Sequence, residues 1–379
     1  MAKLVEIAMA QPSWGQPMPM AWVPLELQIS KMKSSKVNLV TKQKLIAVNE
    51  ENEDLSLSGK ELERFLKIQH SLGKIIYFAE NKLDEFIILH PTFLVNVLRA
   101  FITDEMFWPK DSKLRNILDT LSHSGKITKH DLVVLWEQDQ FKRLMPNDDD
   151  NRIKDFVIGI LVHLDILVEP KHFRKDKSEA GFYLVPCMVK LPAPSNFLGD
   201  VAIETRTICL AYSLLKSAVP AALSFKLIGA ALCIWPFKED EGRPSLYYKS
   251  AVLCIDDDNE LRICAEDDRM IVCLVNKQSR DFISPDIAAS VQECLTLSLI
   301  HCLQFYHACM GKNTNAEYIS TLFQKEVGVI CQNAPCLLPL SEAKEKSSWN
   351  CGKNFSHNTS CVKYWVFDKV CFNYTTIKL

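Results

Sequence analysis

The chain has 379 residues, a formal net charge of -2, 48% hydrophobic residues and 24% charged residues. That length exceeds one ordinary core and predicts two or three domains. The charge balance excludes the broad basic field that would draw the whole chain to nucleic acid. With 12 glycines and 17 prolines, long disordered tracts are not expected. Residues 1–24 lack a charged segment followed by a long apolar one, so no signal peptide is expected. The most apolar stretch, 207–237, is interrupted by Lys216, Pro220 and Lys226 and reads as buried core rather than a membrane span.

In chain order, Pro24 ahead of LELQIS predicts a helix from Val23, with proline in its first turn. The basic amphipathic run to about Val48 offers Leu27, Met32, Leu39, Leu45 and Ile46 to the core. After the acidic loop 49–58, Ser58 with Glu61 three residues on forms a capping-box pattern, and a helix is expected to His70. Gly73 ends it. Residues 74–78 and 84–90 then read as two strands of a hairpin, a wing, and Pro91 opens a helix over 92–103 with Phe93, Leu94, Val97, Leu98 and Phe101 on one stripe. A second unit of the same kind follows. It has helices at 113–122, 129–139 and 153–164, a short strand at Gly125–Thr128, and strands from Ile166 and over 181–190.

From Thr207 the period changes. Strands are expected at 207–213, 246–255, 260–265 and 269–275, a helix at 217–235 and a long helix at 285–307. The fold class is therefore α+β: a winged-helix-like first half, then an antiparallel sheet with helices on one face, then a Cys-rich tail. The expected boundaries are 1–198, 199–310 and 311–379. An open face on the sheet would leave the second domain with a surface for self-association.

Phosphate binding needs a glycine-rich turn ending in Lys-Ser or Lys-Thr. Every Gly-Lys pair here, at Gly59, Gly73, Gly125, Gly311 and Gly352, lacks both the upstream glycine and the following hydroxyl. No GTP site is expected, and no hydrolase elbow or zinc-protease motif occurs. Asp148-Asp-Asp and Asp256-Asp-Asp lack the glycine and distal glutamate of a calcium loop and read as solvated turns. His163, His301 and His307 lie on helices with no local signature of a cysteine–histidine pair.

All 14 cysteines lie at or after Cys187. Several, such as Cys209, Cys233, Cys254, Cys264, Cys273 and Cys294, sit singly in apolar runs, as free thiols in a reducing, cytoplasmic setting do. The tail holds a different arrangement. Cys331-x4-Cys336 is followed by Cys351, His357 and Cys361. Zinc favours four Cys or His ligands as two close pairs. The pairs would be Cys331/Cys336 with Cys351/His357 or with Cys351/Cys361. The other reading is a set of unliganded thiols, since C-x4-C is looser than C-x2-C.

The order PMPMAWVPLE (17–26), HSLGKIIYF (70–78), LDEFIILHPTFLVNVLRAFI (83–102), GKITKHDLVVLW (125–136), FVIGILVHLDILVEP (156–170) and FYLVPCMV (182–189) resembles the first half of a COR domain. COR is the region that follows the Roc GTPase in Roco proteins. Residues 207–307 resemble its second half. The resemblance implies COR-A-like and COR-B-like halves and homodimerisation through the second. It also implies relay of nucleotide state from a Roc-type GTPase supplied elsewhere, without catalysis, nucleic acid or membrane insertion in this chain. The rival expectations are a winged-helix nucleic-acid-binding protein, disfavoured because helix 92–103 offers only Arg99, and a zinc- or cysteine-dependent enzyme.

Overall fold

The computed structural model describes residues 2–10, 18–52, 54–79, 82–144, 151–170, 181–198, 201–215, 218–240, 242–266, 268–309, 312–353 and 355–366. The chain forms two compact units, Met1–Arg115 with His130–Leu164, and Asn116–Lys129 with Asp165–Leu379. These cut the chain differently from the expected boundaries at 198 and 310.

The first unit runs through α1 (Ala2–Met9), α2 (Val23–Ser34), β1 (Leu39–Thr41), α3 (Lys42–Glu50), α4 (Gly59–Ser71), β2 (Phe86–Ile88) and α5 (Thr92–Leu98). The chain then forms α6 (Ser112–Ser124) and β3 (Lys126–Ile127), and α7 (Lys129–Trp136), α8 (Asp139–Lys142) and α9 (Arg152–His163) follow. The capping box starts α4 as expected: the Glu61 N–H donates to the Ser58 hydroxyl and the Ser58 N–H donates to the Glu61 carboxylate at 3.0 Å. Two otherwise orphaned amides of the first turn are thereby satisfied.

The expected wing is smaller than its sequence suggests. Leu83–Glu85 coils into a 3-10 turn entered through Lys82 at φ 62°, which leaves only three extended residues in β2. Ile88 keeps an isolated bridge to Ile76, while β2 pairs along its length with β1, Val40 opposite Ile87. The core gathers Trp22, Leu25, Ile29, Phe65, Leu66, Ile75 and Ile87, with Trp22 edge-on to Phe65 at 5.5 Å. Leu27, expected in that core, is 65% exposed, because Leu25 and Ile29 occupy the i, i+4 positions that face inward. Phe93, Leu94, Val97 and Phe101 are buried as expected, and Trp136 packs with its indole N–H donating to Val97 O at 3.2 Å.

In the second unit β3 pairs with β4 (Tyr183–Leu184), and Val168 bridges Leu184. After α10 (Val201–Glu204) come β5 (Thr207–Leu214), α11 (Ala221–Ile234), β6 (Glu239–Asp240), β7 (Arg243–Pro244), β8 (Leu246–Tyr247), β9 (Ser250–Cys254), β10 (Asn259–Glu266) and β11 (Arg269–Asn276). The unit closes with α12 (Pro285–Cys309), α13 (Ala316–Ser320), β12 (Phe323–Cys331), β13 (Ala334–Pro339), α14 (Leu340–Glu345), β14 (Ser348–Asn350) and β15 (Ser356–Asn358). Seven strands make one antiparallel sheet in the order β13-β12-β5-β11-β10-β9-β8. The architecture is α+β. Residues 311–379, expected as a separate appendage, supply two of these strands.

One face of the sheet, with Leu210, Val272 and Val329, packs on α11 and α12 residues such as Leu227, Leu295 and Leu299. The opposite face is not open as expected: Cys209, Ala211, Ile271 and Cys273 are covered by Phe197, Leu198 and Ile203. That second layer explains why β5 is buried on both sides. Asp256 Oδ1 accepts from the N–H of Asp258 and Asn259, so the acidic triplet makes the β9–β10 turn. Asp148, Asp149 and Asp150 lie outside the described residues. Cys233, expected to be buried, is exposed. No helix among the described residues is long and apolar enough to cross a membrane.

Candidate metal centre

Two hairpins of the second unit converge on one point. The first is β12–β13. Its loop is the dipeptide Gln332-Asn333, with φ 48° and 63°, the left-handed pair that joins twisted antiparallel strands most tightly. Cys331 closes the hairpin and Cys336 lies two residues beyond the loop's partner Ala334, both buried. Gly328 is required where β12 passes β13: a Cβ there would fall on the carbonyl oxygen of Cys336 and 3.0 Å from Leu337 Cα.

The second hairpin is β14–β15, in which Trp349 faces His357 across the strands with ring centroids 5.0 Å apart. The Cys351 N–H donates to Phe355 O at 2.9 Å and closes its loop. Trp349, Val362 and Trp365 anchor this hairpin in the main core of the unit. Thr359 ties its base by donating from N to Ser347 O at 3.0 Å and from Oγ1 to Lys346 O at 2.6 Å.

The ligand atoms of Cys331, Cys336, Cys351 and His357 all lie within 4.8 Å of one another. A tetrahedral zinc site with standard bond lengths needs separations of about 3.5–3.8 Å. Closure therefore asks for movements of about an ångström at most. Cys361 is not in this group; its thiol lies 3.9 Å from Asn358 O. The Nε2 of His357 is buried without a hydrogen-bond partner among the described residues. A buried imidazole nitrogen left unpaired is costly, and a metal ion bound to it would relieve that cost.

The electrostatics suit thiolate ligands. Burial pushes the Cys351 thiol up, but hydrogen bonds from the Lys353 backbone, His357, the Phe355 backbone and Cys336 outweigh it and bring it down to about 6. Burial pushes Cys336 up to about 12, helped by the Cys351 and Cys331 thiols, and burial also raises Cys331, opposed there by the hydrogen bond from Cys336 and helped by Cys351. A dication bound here would hold the three thiols as thiolates, since metal binding displaces their protons. Four protein donors on one zinc ion would leave no position for water, as in structural sites.

Sequence reasoning missed Gly328 and Lys353. The Lys353 ammonium donates to Cys331 O at 3.1 Å and to Gln332 O at 2.9 Å, spanning from the second hairpin to the turn of the first. The isolated glycine inside VGVIC was the available signal for a close backbone approach.

No family model matches the chain, and no curated protein matches it. Among solved structures, one match is the RocCORdC portion of Roco2 from Methanosarcina barkeri, a structure bound to GDP. Its TM-score is 0.34 at 14% sequence identity, covering 50% of this chain and 49% of that one. The chain thus spans about half the length of the solved structure it matches.

Proposed function

We propose that this chain is a non-catalytic interaction and dimerisation module of COR type, and that its second unit is locked by a structural zinc ion on Cys331, Cys336, Cys351 and His357. The observation that carries the zinc reading is the convergence of three thiols and one imidazole from two separate hairpins. The COR reading rests on the ordered sequence motifs from residue 17 to 189 and the sheet-plus-long-helix composition of residues 207–309. In that reading the first half is winged-helix-like, the setting is cytoplasmic, and a Roc-type GTPase domain supplied elsewhere is the partner whose state is relayed. The four-protein-ligand centre disfavours a zinc enzyme, which would keep a position open.

With the sheet's second face covered, self-association falls to the exposed side of α12, where Leu297 and Phe305 are 45% and 41% exposed. Light scattering on a size-exclusion column checks this. The full chain is expected to run near twice 43.2 kDa, and the double substitution Leu297→Asp with Phe305→Asp to run as a monomer. A wild-type chain that stays monomeric at every concentration removes the dimerisation reading.

A further inference from the structure

We propose that Lys353 is a positioning residue for this metal centre: it clips the two ligand hairpins together and offsets the charge of the filled site. The proposal rests on the zinc reading above. Three thiolates, a neutral imidazole and a divalent cation sum to a charge of -1, and one ammonium beside them brings the sum to zero.

Lys353 is placed for both tasks. It lies in the loop between the candidate ligands Cys351 and His357. Its side chain reaches the other hairpin, where the two carbonyls it binds belong to Cys331 and to the turn residue Gln332. Lys353 has no carboxylate partner among the described residues, so its charge is not spent on a competing ion pair. One residue therefore bridges the two ligand pairs by contacts that do not require the metal. The site is preassembled, and the charge sum favours a divalent, thiophilic ion over a monovalent one.

Partners of this kind typically change metal affinity by about 10–100-fold. Lys353 is exposed, so solvent and salt screening put it at about tenfold. The test uses the full chain, loaded with Co2+ and followed by its thiolate-to-metal and d–d absorption. Zinc affinity is then measured by competition with a chromophoric chelator. Lys353→Met is expected to weaken zinc by about tenfold with the metal-free circular dichroism unchanged. Lys353→Arg, which keeps charge and donors, is expected to restore most of it. The gap between wild type and Lys353→Met is expected to narrow between about 0.05 M and about 0.5 M salt, which a merely steric role would not produce. Equal affinity of wild type and Lys353→Met overturns the proposal, as does a loss that Lys353→Arg does not repair. A wild-type chain that takes up no metal overturns the zinc reading first, and this proposal with it.

Discussion

Gly328→Ala is expected to destabilise the second unit by about 3 kcal/mol or more and to release its metal, although it adds a single methyl group. The added carbon would collide with the carbonyl oxygen of Cys336, and it would stand 2.8 Å from the Cys336 carbonyl carbon and 3.0 Å from Leu337 Cα. All three are backbone atoms, so no side-chain rotation makes room. β13 must move away from β12, and β13 is the edge strand of the sheet, held on one side only. Its displacement carries Cys336, a ligand in the proposed site, out of reach of Cys351 and His357. Thermal unfolding together with zinc analysis of the purified variant checks the effect. A Gly328→Ala chain with wild-type stability and a full complement of zinc would show that the strands do not approach as closely as described.

Cys336→Ser is expected to abolish zinc retention and to loosen the two hairpins without unfolding the first unit. Its thiol is buried beside Cys331 and Cys351, and serine oxygen is a poor substitute for a thiolate on zinc. A metal site held at about a thousandfold above its dissociation constant contributes about 4 kcal/mol to the state that binds it. That stabilisation should be lost locally, because β14 and β15 form a two-stranded sheet of three residues each, and an isolated hairpin of that size is marginal in water. Hydrogen exchange should show protection falling across 323–366 while the amides of α4, in the other unit, are unchanged. Uniform loss of protection in both units would mean that the centre does not act as a local lock.

Much of this architecture was legible in the residues. The strands 207–214, 259–266 and 269–276 and the helix 285–309 stand within two residues of their expected ends, because their apolar runs are long and turn residues bound them. The capping box at Ser58 was legible for a different reason: its chemistry is local and needs nothing from the rest of the chain. The tail was not legible. β12 is buried on both faces, so it shows no alternation, and β13 carries Pro335 and Pro339, which argue against a strand unless it lies at an edge. Only the dipeptide Gln332-Asn333 between two apolar runs marked the hairpin.

The four candidate ligands were named by residue type and spacing. His357 was among them by spacing alone, and the β14–β15 hairpin carries it and Cys351 to the same point as Cys331 and Cys336. Lys353 was invisible because its partners are carbonyls, which leave no mark in a sequence. The covered second face of the sheet was missed for a related reason. Phe197 and Leu198 sit in an irregular stretch and Ile203 in the four-residue α10, and the destination of both is fixed only by tertiary packing.

X-ray absorption at the zinc edge on the purified full chain tests most directly whether a structural zinc ion closes the second unit. One zinc per chain is expected, with three sulfur neighbours at about 2.3 Å and one nitrogen at about 2.0–2.1 Å. A chain purified without zinc and unable to take it up, or a zinc ion surrounded by oxygen and nitrogen alone, would contradict it.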